Sequence, residues 1–102
     1  MEIKSYGSSA ILIHDGASCV VSMYEDELYL HSLVTCKEFR GKGSATRVLT
    51  EAKRLSRKMK RPLVLNASPF DDQPMTYNQL VEFYKSRGFI NSEYNKFIYW
   101  SN

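Results

Sequence analysis

The sequence predicts an α/β (α+β) fold: a mixed, mostly antiparallel sheet of about six strands with two main helices. Three observations lead there. Residues 9–35 form three short apolar runs separated by turn signals, the mark of a strand meander. Past a glycine-rich run the period lengthens to that of a helix, with Val48, Ala52, Leu55 and Met59 on one stripe. Pro62 then ends the helical pattern, and the apolar Leu63-Val64-Leu65 behind it reads as a short buried strand. A strand reached through a crossover helix lies parallel to the strand before it.

The first strand covers Ala10-Ile11-Leu12-Ile13. Asp15-Gly16 closes a tight primed turn, because that dipeptide accepts two positive-φ positions in succession. A second strand spans residues 18–23, an acidic turn follows at Glu25-Asp26-Glu27, and a third strand spans residues 28–35. A helix beginning near Thr46 then runs toward Pro62. Residues 68–74 form a polar loop with two prolines and the pair Asp71-Asp72. A second helix over residues 76–87 turns Leu80, Phe83 and Tyr84 inward, and Gly88 supplies a left-handed cap. Two strands, residues 89–91 and 96–100, close the chain around a turn at Glu93-Tyr94-Asn95.

A chain of 102 residues is expected to form one domain over residues 1–102, able to bury about two-thirds of its surface without covalent staples. Hydrophobic residues at 43% and charged residues at 25% are ordinary for a globular domain, and no apolar run approaches a membrane span. Residues 1–8 carry no apolar signal region, so the expected compartment is the cytoplasm. Cys19 and Cys36 are not spaced as Cys-x-x-Cys and fall in or beside apolar strands, which reads as two buried free thiols. With His14 and His31 they form no zinc-ligand spacing, so no metal is expected.

The run Arg40-Gly41-Lys42-Gly43-Ser44-Ala45 stands between a strand and a helix. Small residues there let the backbone turn sharply and present successive N–H groups, which join the positive end of the helix dipole to make a phosphate cradle. It is not a dinucleotide fingerprint. Thr46 holds the place of the third glycine, and Lys60 lies where an acid would be needed. Nor is it a P-loop, because Gly41-Lys42 is followed by Gly43 and no earlier glycine has the required distance.

Arg40, Gly43 and Ala45 fit the pattern Arg/Gln-x-x-Gly-x-Gly/Ala behind an apolar strand end, Leu33-Val34-Thr35. Phe83-Tyr84-Lys85-Ser86-Arg87-Gly88-Phe89 fits Phe/Leu-Tyr-x-x-x-Gly-Phe at the close of a helix. The two in this order, with a basic helix and a buried strand between them, resemble the acetyl-CoA-dependent N-acetyltransferases of the GNAT superfamily over residues 28–100.

That resemblance implies a sheet splayed where acetyl-CoA inserts. The backbone of Leu33, Val34 and Thr35 would face the pantetheine arm, with Asn66 and Ala67 on the other side. Arg40, Gly41, Lys42, Gly43, Ser44, Ala45 and Thr46 would hold the pyrophosphate. Tyr84 corresponds to the tyrosine that protonates the departing thiolate, a role that suits a phenol beside an apolar slot. Where many relatives carry a glutamate, the strand here offers Tyr29, His31, Leu33 and Thr35 on one expected face. His31 is therefore the titratable candidate for the general base near neutral pH. Asp71 and Asp72 are candidates for binding the acceptor amine. Cys36 has no acid or histidine at catalytic spacing, which favours direct attack by the amine over an acyl-enzyme.

The family's usual strand and two helices ahead of the meander have no counterpart in residues 1–8. An acceptor site left open in this way suits a lysine or N-terminus on a protein, as in compact relatives encoded by phages and mobile elements that modify host or defence proteins. Arg47, Lys53, Arg54, Arg57, Lys58, Lys60 and Arg61 crowd the first helix, giving a cationic face. No aromatics interleave with these charges, which argues against nucleic acid. The expected partners are acetyl-CoA and a protein acceptor, with no membrane, and the chain a monomer or homodimer. The rival readings are a non-catalytic interaction or inhibitor protein on the same scaffold, and a small basic nucleic-acid-binding domain.

Overall fold

Alternating strands separated by tight turns build a four-strand antiparallel meander: β1 (Glu2–Tyr6), β2 (Ser9–His14), β3 (Ala17–Met23) and β4 (Leu28–Thr35). This computed structural model describes residues 1–36, 38, 41–67 and 76–100. The chain continues through α1 (Ser44–Met59), β5 (Leu63–Asn66), α2 (Tyr77–Lys85), β6 (Ile90–Glu93) and β7 (Lys96–Tyr99). All strands join one seven-stranded sheet in the order β1-β2-β3-β4-β5-β7-β6, in which β4 and β5 are the parallel pair. The sheet has one strand more than the sequence pattern marks. β1 is an edge strand whose side chains are all exposed, so it lacks the apolar alternation by which a strand is recognised.

Local chemistry fixes the ends of the elements. Asp15 and Gly16 adopt φ of 43° and 80°, the two positive values of a primed turn between β2 and β3. α1 ends at Met59, before Pro62, as Lys60 turns to φ 58° and the Ser56 hydroxyl donates to the Arg61 carbonyl. A capping box starts α2: the Gln79 amide donates to Thr76 Oγ1, and the Thr76 amide donates to Gln79 Oε1.

Both helices lie on one face of the sheet. Leu12, Cys19, Val21, Leu28, Leu30, Leu63, Leu65 and Phe97 form the sheet's side of the core, and Val48, Leu49, Ala52, Leu80 and Tyr84 close it from above. The opposite, open face carries Ile11, Ile13, Val20, Tyr29 and His31, which stay partly exposed, and among the described residues no helix covers it.

One irregularity changes which β4 side chains share a face. Val20 pairs with His31, but Ser18 pairs with Val34, so Cys19 stands opposite two residues, 32 and 33. This bulge shifts the phase of the strand. Tyr29 and His31 lie on the open face, whereas Leu33 packs against the core and Thr35 pairs with the buried Ala17 on the helix face. The expected single face of Tyr29, His31, Leu33 and Thr35 is thereby corrected. Cys36 is also corrected: it is exposed, whereas Cys19 is buried.

Candidate functional site

β4 and β5 begin as paired strands and then part. Their rungs are Leu28–Leu63 and Tyr29–Val64; β4 continues to Thr35 and β5 to Asn66 without further pairing between them. Each is held from its other side, β4 by β3 and β5 by β7. The result is a wedge-shaped gap between the two strands, opening toward the end of β4 that leads into α1. Leu33, Val34 and Thr35 lie on one wall and Asn66 on the other.

At the open end, Gly41 and Gly43 adopt φ of 80° and 79°, and a Cβ built on either meets nothing within 4 Å. The glycines are there for backbone conformation, and the space before them is clear. Gly43 caps α1 without a side chain, and no acid occupies the first turn. The first intrahelical bond is Arg47 N–H to the Gly43 carbonyl at 3.1 Å, so the amides of Ser44, Ala45 and Thr46 precede the helical ladder and are available to an anion. These features fit a pyrophosphate. Arg40, Asp71 and Asp72 lie outside the described residues.

Tyr84 sits beneath the gap on the helix face. Its ring is 5.8 Å from that of Phe97, whose strand β7 lies on one side of the gap, and 5.7 Å from Phe89. Burial first, and then the nearby Cys19 thiol on β3 beyond the other side, push the Tyr84 phenol up to about 12. Burial alone pushes the Cys19 thiol to about 12 as well. Both groups are therefore held protonated, and Cys19 is no nucleophile.

His31 lies on the open face as the first such residue of β4 past the last β4–β5 rung. Its Nε2 is 3.0 Å from Ser22 Oγ on β3, and Ser22 Oγ is 3.3 Å from Ser9 Oγ on β2. The imidazole is tilted against the Tyr29 ring at 4.5 Å between centroids. Asn66 Nδ2 donates to the Tyr29 hydroxyl, bridging β5 to β4 across the mouth of the gap. The polar row Asn66, Tyr29, His31, Ser22, Ser9 thus crosses four strands. Sequence reasoning found two of its members, His31 and Asn66. It missed Tyr29, Ser22 and Ser9, whose alignment depends on cross-strand register.

The cationic face of α1 is largely engaged within the protein. Arg54 pairs with Glu51, Arg57 donates to the Tyr99 hydroxyl at 2.9 Å, Lys53 to the Arg87 carbonyl at 2.9 Å, and Arg61 to the Tyr24 carbonyl at 3.1 Å. Only the Arg54–Glu51 contact offsets charge; the others fix the cations in place against neutral acceptors. Among the described residues no group of three His, Cys, Asp or Glu side chains is arranged to hold a metal ion.

No protein-family model matches the sequence, and none of the curated proteins matches it. The fold is shared with solved structures. The anti-CRISPR protein AcrVA5 superposes with a TM-score of 0.80 at 22% identity, over 90% of this chain and 98% of that one. A Bacteroides thetaiotaomicron protein described as a GNAT-family acetyltransferase gives 0.67 at 18% identity, over 95% of this chain and 64% of that one. AtaTR, solved with bound acetyl-CoA, gives 0.66 at 17% identity, over 91% of this chain and 66% of that one. The chain has the GNAT fold of these neighbours, and spans about two-thirds of the length of the last two.

Proposed function

We propose that the chain is an acetyl-CoA-dependent N-acetyltransferase that passes the acetyl group directly to an amine on a protein, acting in the cytoplasm. The observation that carries this reading is the placement of His31 and Tyr84 on opposite faces of the sheet, either side of the gap between β4 and β5. An amine arriving on the open face meets His31, while a sulfur in the gap lies above Tyr84.

The amides of Ser44, Ala45 and Thr46 hold the pyrophosphate, and the diverging edges of β4 at residues 33–35 and of β5 at Asn66 line the pantetheine arm. When bound, acetyl-CoA supplies a thioester, activated toward an amine and carrying a thiolate leaving group. His31 removes a proton from the acceptor's ammonium so that the amine lone pair can attack. Tyr84 donates the proton on its Oη to the departing sulfur, and the second proton that the nitrogen loses as the amide forms restores the phenol. The dry surroundings that keep the phenol protonated also make a bare thiolate costly there, so a donor at that point lowers the cost of its departure. Ile11, Ile13, Val20 and the 42%-exposed Val34 give the open face an apolar, uncovered surface, which supports a lysine or N-terminus on a protein as acceptor. The likeness to an anti-CRISPR protein supports a defence protein as that acceptor.

Incubating the protein with isotope-labelled acetyl-CoA and a host protein extract tests this. Label is expected on lysine side chains or N-termini of protein bands and not on the enzyme itself. Binding of acetyl-CoA without transfer to any amine overturns it in favour of a non-catalytic protein on the same scaffold.

A further inference from the structure

We propose that Ser22, backed by Ser9, is a positioning residue that fixes His31 as the base of this site, an inference that rests on the acetyltransferase reading above. The three side chains form a file on the open face: His31 Nε2 to Ser22 Oγ at 3.0 Å, then Ser22 Oγ to Ser9 Oγ at 3.3 Å. The cross-strand pairing that sets the file is Ser9 with Ser22 on one side and Val20 with His31 on the other.

An imidazole can act as a base through only one nitrogen at a time, and the partner of the other nitrogen decides which. Of the two directions these contacts allow, we assign Ser22 Oγ as acceptor of the Nε2 proton and the Ser22 hydroxyl as donor to Ser9 Oγ. The neutral ring then carries its proton on Nε2, and Nδ1 is the basic nitrogen. An ammonium on the acceptor transfers one proton to Nδ1, giving a neutral amine and an imidazolium whose Nε2–H remains on Ser22. The imidazolium later returns that proton to water. The groups facing His31 on the open face are the Tyr29 ring on its own strand and Val20 and Ser22 on β3; none of the three is a carboxylate. Among the described residues no carboxylate forms an ion pair with His31.

The experiment compares wild type with Ser22→Ala, Ser22→Thr, Ser9→Ala and His31→Ala in two measurements. The first is acetylation of a synthetic peptide bearing one lysine, followed across pH. The second is the set of ring-nitrogen NMR shifts of His31, with His14, which faces Asp15 at 3.4 Å, as internal reference. Ser22→Ala is expected to lower kcat about tenfold, a fraction of the 10²–10⁴-fold that a general base supplies. It should move the acid limb of the pH–rate profile, leave the KM for acetyl-CoA unchanged and mix the two neutral tautomers of His31. Ser22→Thr should restore both readouts, and Ser9→Ala should act in the same direction more weakly. A wild-type ring protonated on Nδ1, or a Ser22→Ala variant with unaltered rate, profile and tautomer, overturns the proposal. If wild type acetylates no amine, the acetyltransferase reading fails, and the tautomer of His31 in wild type and Ser22→Ala still decides whether Ser22 positions the ring.

Discussion

Arg87, just past the end of α2, grips Thr46 in the first turn of α1: its Nε and Nη2 donate to Thr46 Oγ1 at 3.1 and 3.0 Å. Its Nη1 donates to the Phe83 carbonyl at 3.1 Å, and the guanidinium lies 3.8 Å from the Phe83 ring centroid. A cation is thus fixed at the end of a helix whose dipole is already positive, with no acid in that turn to offset it. A bound anion relieves that repulsion.

The pair should be strongly coupled. A double-mutant cycle with Arg87→Ala and Thr46→Ala, read by urea unfolding, is expected to give a coupling of about 1.5–3 kcal/mol, the range for a hydrogen bond to a charged group. Additive losses would mean that the Arg87–Thr46 contact adds nothing to the apolar contacts and the Lys53–Arg87 carbonyl bond between these helices.

Acetyl-CoA should raise thermal stability through the cradle at Gly41 and Gly43. At about a hundred times the dissociation constant, linkage gives about 2.7 kcal/mol, or roughly 4–8 °C for a domain of this size. Gly43→Asn and Gly43→Asp place the same shape at φ 79°, and either should cost about 1 kcal/mol of intrinsic stability from that backbone conformation. Gly43→Asp should abolish the ligand shift, because its charge opposes the phosphates, while Gly43→Asn retains part of it. Equal shifts in wild type and Gly43→Asp, measured by calorimetry, would place the anion elsewhere.

Tyr84→Phe removes one oxygen and keeps a ring packed against Phe83, Phe89 and Phe97. Folding and acetyl-CoA affinity should change little, while single-turnover transfer falls by at least about tenfold, as expected for loss of a well-placed acid. Wild-type turnover in the variant would reduce Tyr84 to a core aromatic.

Alkali should unfold the protein earlier than its ordinary tyrosines and thiols suggest. Cys19 and Tyr84 each hold their proton to about 12 in the folded state, against ordinary values of 9.0 and 10.0. The stability they contribute is fully present below pH 9 and is lost as pH rises from 9 toward 12, because the unfolded chain releases both protons first. The loss is on the order of 3 kcal/mol for each group. Urea midpoints at pH 8 and pH 10.5 measure it, and Cys19→Ala should show a smaller fall between the two than wild type. An equal fall in both proteins would remove Cys19 as a cause.

The parts of the molecule written in local chemistry were readable beforehand. Asp15-Gly16, the glycine cradle, the apolar stripe of α1, the brake at Pro62 and the Tyr84 segment each carry their signal within a few neighbouring residues. β1 was not readable, since an exposed edge strand has no buried face to impose alternation. The face carrying His31 was misjudged past residue 31, because a bulge is set by pairing with Cys19 and leaves no mark on β4 itself. Ser9 and Ser22 are unremarkable in sequence; their importance arises only from β2, β3 and β4 lying in register.

The same bulge makes the length of β4 negotiable at one place. Deleting a residue at 32 or 33 would restore regular pairing with β3, leaving Tyr29 and His31 on the open side and Thr35 beside Ala17. A deletion at 30 would instead turn Tyr29 to the core side and Leu28 outward. Chains of this fold that differ by one residue between the last β4–β5 rung and the start of α1 can therefore keep the same side chains on the same sides. Their sequences align correctly only with a gap opened at that point.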